Sequence, residues 1–198
     1  SLRFEDEHGF DVLRENPSDI DGLGRPFVFP LGFVKEGDRI THVSESFHLR
    51  QDEQLYGLGE KFTPLDKVGQ RIISWTQDAF GSTSERSHKN IPFMMSTRGY
   101  GLLLDTGARI TWELGTISCQ SAMILSETDT LDAYIFYGPA YLDILNQYAD
   151  LTGRTPLPPK WTYGLWVSSG GTYRDQDTMQ ALVDGLETYD IPADVVHI

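Results

Sequence analysis

Between Phe27 and about Tyr137 the apolar residues fall in short runs, not in a helical stripe. Phe27-Val-Phe, Phe33-Val, Ile72-Ile-Ser-Trp, Phe93-Met-Met, Leu102-Leu-Leu, Ile110-Thr-Trp, Met123-Ile-Leu and Tyr134-Ile-Phe each predict a strand. Turn residues divide them at Glu36-Gly-Asp, Arg98-Gly99, Gly107, Leu114-Gly115 and Thr128-Asp129, the punctuation of an all-β sandwich. In Leu131-Asp-Ala-Tyr-Ile-Phe-Tyr, the residues Leu131, Ala133, Ile135 and Tyr137 share one face, and Tyr134 with Phe136 the other. That strand is expected to be covered on both sides, as two stacked sheets would do.

At Gly138-Pro139 the period changes. Pro at a helix start, apolar Tyr141, Leu142, Leu145, Tyr148 and Ala149, and Gly153 past the end predict a short helix over about 139–152. Pro156, Pro158 and Pro159 then exclude helix and central strand and stiffen an extended connector. The domain boundary is placed there, dividing the chain into 1–155 and 156–198. Tyr163 to Val167 reads as a buried strand, and Ser168-Ser-Gly-Gly-Thr-Tyr-Arg as the loop that leaves it. Asp175 or Asp177 caps a helix whose apolar positions are Met179, Leu182, Val183, Leu186 and Tyr189, and Ile191-Pro192 ends it. Val195, Val196 and Ile198 form a second strand. This is one βαβ unit. Because parallel strands bury both faces, two strands and one crossover helix read as the front of something larger.

The 198 residues can hold one large domain, or a medium domain and part of another, at about 100–200 residues per domain. A net charge of -13 opposes binding to nucleic acid or to an anionic membrane surface and leaves neutral partners such as sugars compatible. The single Cys119 forms no intrachain disulfide, Ser1-Leu-Arg-Phe-Glu-Asp-Glu has no basic start followed by an apolar core, and no asparagine lies in a glycosylation sequon, which together favour a cytoplasmic location. No apolar run is long enough to cross a bilayer. Association with further copies of the chain is left open.

Most signals for chemistry have a plain reading. Gly57-Leu-Gly59-Glu lacks the third glycine of a dinucleotide loop, because Phe62 stands there, and it suits a tight turn. His42 and His48 lie about 20 Å apart along a probable strand and cannot share a metal ion. His8, His88 and His197 have no close partner in sequence and read as surface or packing residues. Neither a metal nor a cofactor is expected. Gly81-Ser-Thr-Ser-Glu does not fit a nucleophile elbow. Asp52, Glu53, Glu60 and Asp66 are expected on the solvated surface of an acidic chain. One polar loop resists this treatment. Trp75 and Phe80 supply aromatic faces on which sugar rings stack, and Asp78 supplies a carboxylate that accepts from hydroxyls.

Several stretches, in order, resemble glycoside hydrolase family 31, the α-glucosidase and α-xylosidase family. They are Leu55-Tyr-Gly-Leu-Gly-Glu-Lys-Phe62, Trp75-Thr-Gln-Asp78, Lys89-Asn-Ile-Pro-Phe93, Arg98-Gly-Tyr-Gly101, Tyr137-Gly-Pro139, Thr152-Gly-Arg154, Leu157-Pro-Pro-Lys-Trp161 and Gly164-Leu-Trp166. The resemblance covers about Leu55 to Ile198. It implies a mainly β fold, a galactose-mutarotase-like β-sandwich followed by the first βαβ unit of a (β/α)8 barrel. Lys89-Asn-Ile-Pro-Phe93 and Val195-Val-His-Ile look more like α-xylosidases than α-glucosidases.

The implied activity is retaining hydrolysis by two aspartates, one attacking the anomeric carbon and the other protonating the leaving oxygen and then activating water. Both are expected beyond Ile198, so this chain alone is expected to be inactive. The implied partners are an α-xyloside or α-glucoside oligosaccharide and the remainder of the barrel. Asp78 matches the acid that the family's N-terminal loop reaches into the active site, beside the leaving-group subsite. Trp166 and residues 168–172 match the end of the first barrel strand, on the rim where barrel active sites lie, although Trp166 would equally serve the barrel core. Gly171 stands where some α-xylosidases place an aromatic. The alternative is a stand-alone carbohydrate-binding β-sandwich. A mutarotase-like epimerase would need a His/Glu pair that the sequence does not offer.

Overall fold

The computed structural model describes residues 2–16, 28–79, 81–168, 171–172 and 174–197. It divides into two compact units, Ser1–Gly153 and Arg154–Ile198.

In the first unit, β1 (Arg3–Glu5) and β2 (Asp11–Arg14) form an antiparallel hairpin. The strands that follow are β3 (Leu31–Glu36), β4 (Arg39–His48), β5 (Leu55–Gly57), β6 (Gln70–Ser74), β7 (Phe93–Ser96), β8 (Tyr100–Leu104), β9 (Ile110–Leu114), β10 (Ser121–Ser126) and β11 (Ala133–Tyr137). They make two antiparallel sheets, one ordered β3-β4-β10-β9-β6 and the other β11-β8-β7-β5. This is the expected sandwich. Each expected strand is present except the first: Pro30, which has no N–H for a ladder, precedes the strand at Leu31, and Phe27 lies outside the described residues.

Strict alternation builds the core. Ile110, Trp112 and Leu114 all point one way from β9 and are fully buried, and the registers set Ile72 and Ile124 on either side of Trp112. Tyr100, Leu102 and Leu104 meet them from β8 within one apolar cluster. The opposite face of this sheet carries Phe93, Leu103 and Phe136, and α1 (Tyr141–Thr152) covers it through Ile144. The expected cover on both sides of β11 is met only in part: Ile135 packs on the sandwich core, with Leu131 just before the strand, and Phe136 joins the helix-side cluster, while Ala133, Tyr134 and Tyr137 are exposed.

The phase of α1 differs from the expected one. Ile144, not Leu142 or Leu145, is its buried residue, and Leu142 is 72% exposed. The cause lies on the sheet. A Cβ at Gly101 would sit 2.6 Å from Ile144 Cγ2, so only glycine admits the helix at this phase. Tyr148, one turn on, stacks on Phe93 with ring centroids 4.3 Å apart.

Two carboxylates depart from the expectation of solvation or lie in the core rows. Glu53 is buried, accepting hydrogen bonds from Ser96 Oγ at 2.6 Å, the Tyr100 hydroxyl at 2.7 Å and the Arg50 amide at 3.2 Å. A buried polar group demands such partners. Burial also holds the Tyr100 phenol well above its usual range.

Glu45 lies directly across from Ile124, in the inward row. Burial pushes its carboxyl up to about 7, opposed by the Ser46 amide and reinforced by the neighbouring Glu15. A carboxyl raised in the folded state gives stability that is fully present below its unfolded value of 4.5 and is lost as the pH rises through about 7. Urea unfolding should therefore show a loss between pH 4.5 and about 7, to which Glu45 contributes about 1–3 kcal/mol. Glu45→Gln should remove that part of the slope. An unchanged slope in the variant would contradict the assignment.

The second unit begins with a 3-10 turn, Lys160–Tyr163, started by Pro159. Tyr163 therefore belongs to the turn and not to the strand, which begins later as β12 (Trp166–Ser168). Helix α2 (Gln176–Thr188) follows, with Asp175 Oδ1 accepting from the Thr178 amide at 2.8 Å as its N-cap. Met179, Leu182, Val183 and Leu186 are half-buried on it, as is Gly185, whereas Tyr189 is exposed. β13 (Val195–His197) pairs parallel with β12, Trp166 opposite Val195. Gly164 is required here, because a Cβ would fall 1.6 Å from the Asp194 carboxylate. The expected βαβ unit is thus present. Ile198 and residues 169, 170 and 173 lie outside the described residues. Among those described, no helix is long and apolar enough to cross a membrane.

Candidate functional site

The polar loop runs from the end of β6 at Ser74 to the start of β7 at Phe93. Its two legs are tied near their base: Thr76 bridges Ser87, and the Gln77 amide donates to the Ser87 carbonyl at 3.2 Å. Asn90 Nδ2 donates to the same carbonyl at 2.9 Å. Lys61 Nζ donates to the carbonyl of Ile73 at 2.7 Å, with that of Glu85 at 3.4 Å, so one ammonium holds both legs. Burial lowers the Lys61 pKa.

The returning leg is clamped to the motif that resembles a phosphate loop. Gly57, Leu58 and Gly59 have φ of 119°, 68° and 83°, three left-handed residues in succession. The Leu58 amide donates to the Phe93 carbonyl and the Glu60 amide to the Lys89 carbonyl, both at 2.9 Å. A Cβ would stand 2.5 Å from the Phe93 carbonyl at Gly57 and 2.2 Å from the Lys89 carbonyl at Gly59. The glycines serve backbone approach, which is the turn reading and not the nucleotide one.

On this stem the Asp78 side chain stands in solvent, its Oδ1 2.7 Å from His88 Nε2. Trp75 is 44% exposed and lines a depression of about 220 Å³ with Thr76, Asn90 and Pro92. A second depression, with Gln77, Glu85, Arg86 and Arg109, lies at the same indole. Asp78 lines neither. Both hollows fall short of the roughly 300–1,000 Å³ of ordinary ligand pockets. An aromatic face, amides and a carboxylate are the groups a sugar uses, and a ligand would need further walls to be enclosed. Phe80 lies outside the described residues.

Trp166 belongs to the second unit. It is 48% exposed, packs against Trp161 and His197 with centroids 6.0 Å away in each case, and donates from Nε1 to the Thr162 carbonyl at 3.2 Å. Its ring is therefore oriented by two ring contacts and one hydrogen bond while half of it meets solvent. Gly171 has a φ of 89° with nothing within 4 Å of a built Cβ.

His88 is the residue that sequence reading set aside as surface or packing. Its carboxylate partner, Asp78, is ten positions away, farther along the chain than Glu85, and only the closure of the loop brings the two together. Among the described residues no group of three or more His, Cys, Asp or Glu side chains is disposed to hold a metal.

Comparison with known proteins places this geometry in a family context. Residues 8–113 match the glycosyl hydrolase 31 N-terminal galactose mutarotase-like domain, and residues 155–198 match the glycosyl hydrolases family 31 TIM-barrel domain. Alpha-xylosidase XylQ of Lactiplantibacillus pentosus is 37% identical over 160 residues, covering 80% of this chain and 21% of its own. An alpha-xylosidase of Emericella nidulans is 35% identical over 161 residues, covering 81% of this chain and 20% of its own. The solved GH31 dextranase of Flavobacterium johnsoniae, a mutant complexed with isomaltotriose, superposes with a TM-score of 0.82 at 25% identity, over 98% of this chain and 22% of that one. The chain thus spans about a fifth of the length of the relatives it matches.

Proposed function

Since the chain belongs to glycoside hydrolase family 31, we propose that it forms the N-terminal part of a retaining α-glycosidase that cleaves α-xylosidic bonds. The reading divides the chain into a sandwich domain, 1–155, and the opening of the catalytic barrel, 156–198. In it the catalytic aspartates lie outside these residues, which alone turn over no substrate, and the remainder of the barrel supplies the missing walls of the site. Trp75, Asp78, Phe80 and Trp166 contact the sugar.

The observation that supports this most is the loop itself. Its stem is tied by backbone bridges, Asn90 and Lys61, while the carboxylate it carries has no buried role. A structural acid in this fold looks like Glu53, enclosed and fully partnered. Asp78 is its opposite, a charge held out on a rigid support, as a ligand contact requires. The α-xylosidase relatives support the choice of bond.

The test uses the full-length protein and an α-xylosyl disaccharide. Loss of a charged hydrogen bond to a sugar hydroxyl in Asp78→Ala should raise KM about tenfold or more. Residues 1–198 alone should release no xylose. Wild-type KM in Asp78→Ala would overturn the assignment. Calorimetric sugar binding that survives deletion of residues 155–198 would instead favour the stand-alone binding sandwich, a reading for which the self-contained core of the first unit speaks.

A further inference from the structure

We propose that His88 is a positioning residue for Asp78, fixing the carboxylate in the orientation that receives the sugar. This rests on the reading of Asp78 as a substrate contact and goes on to name what holds it.

The contact is 2.7 Å between His88 Nε2 and Asp78 Oδ1. A carboxylate oxygen only accepts, so the ring nitrogen supplies the proton. The Ala79 amide also lies 3.3 Å from Nε2. A nitrogen that donates has no lone pair left to accept, and the shorter, charge-assisted contact takes precedence. One carboxylate oxygen is thereby engaged, while Oδ2 stays open to a hydroxyl.

The pair is not there for the fold. The side chains are 60% and 99% exposed, and exposed pairs contribute little to stability. Their geometry is nevertheless over-determined from below. Thr76 and Gln77, two and one residues before Asp78, both meet Ser87, one residue before His88, and the bridge is parallel, so the Asp78–His88 contact continues this parallel pairing by one rung. Asn90 anchors the Ser87 side of that rung. Without His88, Asp78 would be a freely rotating surface acid whose ordering would oppose each binding event. With it, the carboxylate is ordered before the sugar arrives.

The experiment is a double-mutant cycle on the full-length protein with the same α-xylosyl disaccharide. His88→Ala should raise KM about threefold to tenfold, the cost of ordering one side chain on binding, with kcat little changed. His88→Gln, which keeps an N–H donor, should restore most of the loss. In the Asp78→Ala background, His88→Ala should add nothing. Equal effects of His88→Ala in both backgrounds would overturn the proposal, as would a wild-type KM in His88→Ala while Asp78→Ala is impaired. Either result leaves the reading of Asp78 standing. A wild-type KM in Asp78→Ala overturns both.

Discussion

Trp112→Ala is expected to lower the unfolding free energy by about 3–5 kcal/mol, read as a shift of the urea midpoint at unchanged slope. Trp112 is fully buried in the inward row between Ile72 and Ile124, and its removal opens a cavity that neighbouring strands cannot collapse to fill. Its indole N–H donates to Ser74 Oγ at 2.9 Å, so the substitution also strands a buried hydroxyl. Trp112→Phe separates the two contributions. It fills most of the space and forfeits the hydrogen bond, and should cost about 1–2 kcal/mol. A loss below about 1 kcal/mol in Trp112→Ala would mean that the two sheets do not close around this residue. Ser74 is the last residue of β6, immediately before the loop that carries Asp78, so the same side chain anchors the core and the base of the candidate site.

Much of this architecture is legible in the sequence because the signals are local. Ile110, Trp112 and Leu114 alternate with Thr111 and Glu113, and no other periodicity accounts for them. Gly153 and Asp175 mark helix ends by backbone and capping chemistry that needs no tertiary partner. Elsewhere the deciding contact is distant. In α1 the apolar residues run round more than one face, and the choice of Ile144 over Leu145 is made by Gly101, more than forty positions away. Three-residue β5 ends in a left-handed glycine and cannot be distinguished from a turn by pattern. In β4 a glutamate occupies an inward position, which interrupts the alternation of Val43 and Phe47. Tyr163 has the composition of a strand residue, yet Pro159 starts a 3-10 turn that absorbs it.

The candidate site divides in the same way. Trp75 and Asp78 stand out by composition in a polar loop. Nothing in spacing points to His88, Asn90 or Lys61, because their roles arise only when the loop folds back on itself.

That folding back depends on a backbone contact, and Gly59→Ala should break it at a cost of about 3 kcal/mol or more. Two effects add. At φ +83 an L side chain is strained by about 1–2 kcal/mol. The new Cβ would also meet the Lys89 carbonyl at 2.2 Å, the Ile91 amide nitrogen at 2.8 Å and the Asn90 Cα at 3.0 Å, all backbone atoms that have no rotamer by which to retreat. The legs must part, and the Glu60 amide then loses its bond to the Lys89 carbonyl. Gly69 supplies the control. Its φ is +81 with nothing within 4 Å of a built Cβ, so Gly69→Ala should cost only the conformational strain, about 1–2 kcal/mol. Because residues 87–90 hold the far side of the stem, Gly59→Ala should also raise KM for the α-xylosyl disaccharide in the full-length protein, and Gly69→Ala should not. Unfolding free energies equal within about 0.5 kcal/mol in the two variants would show that the approach at Gly59 is not a constraint. A KM that rises equally in both would disconnect the glycine turn from the loop it is argued to hold.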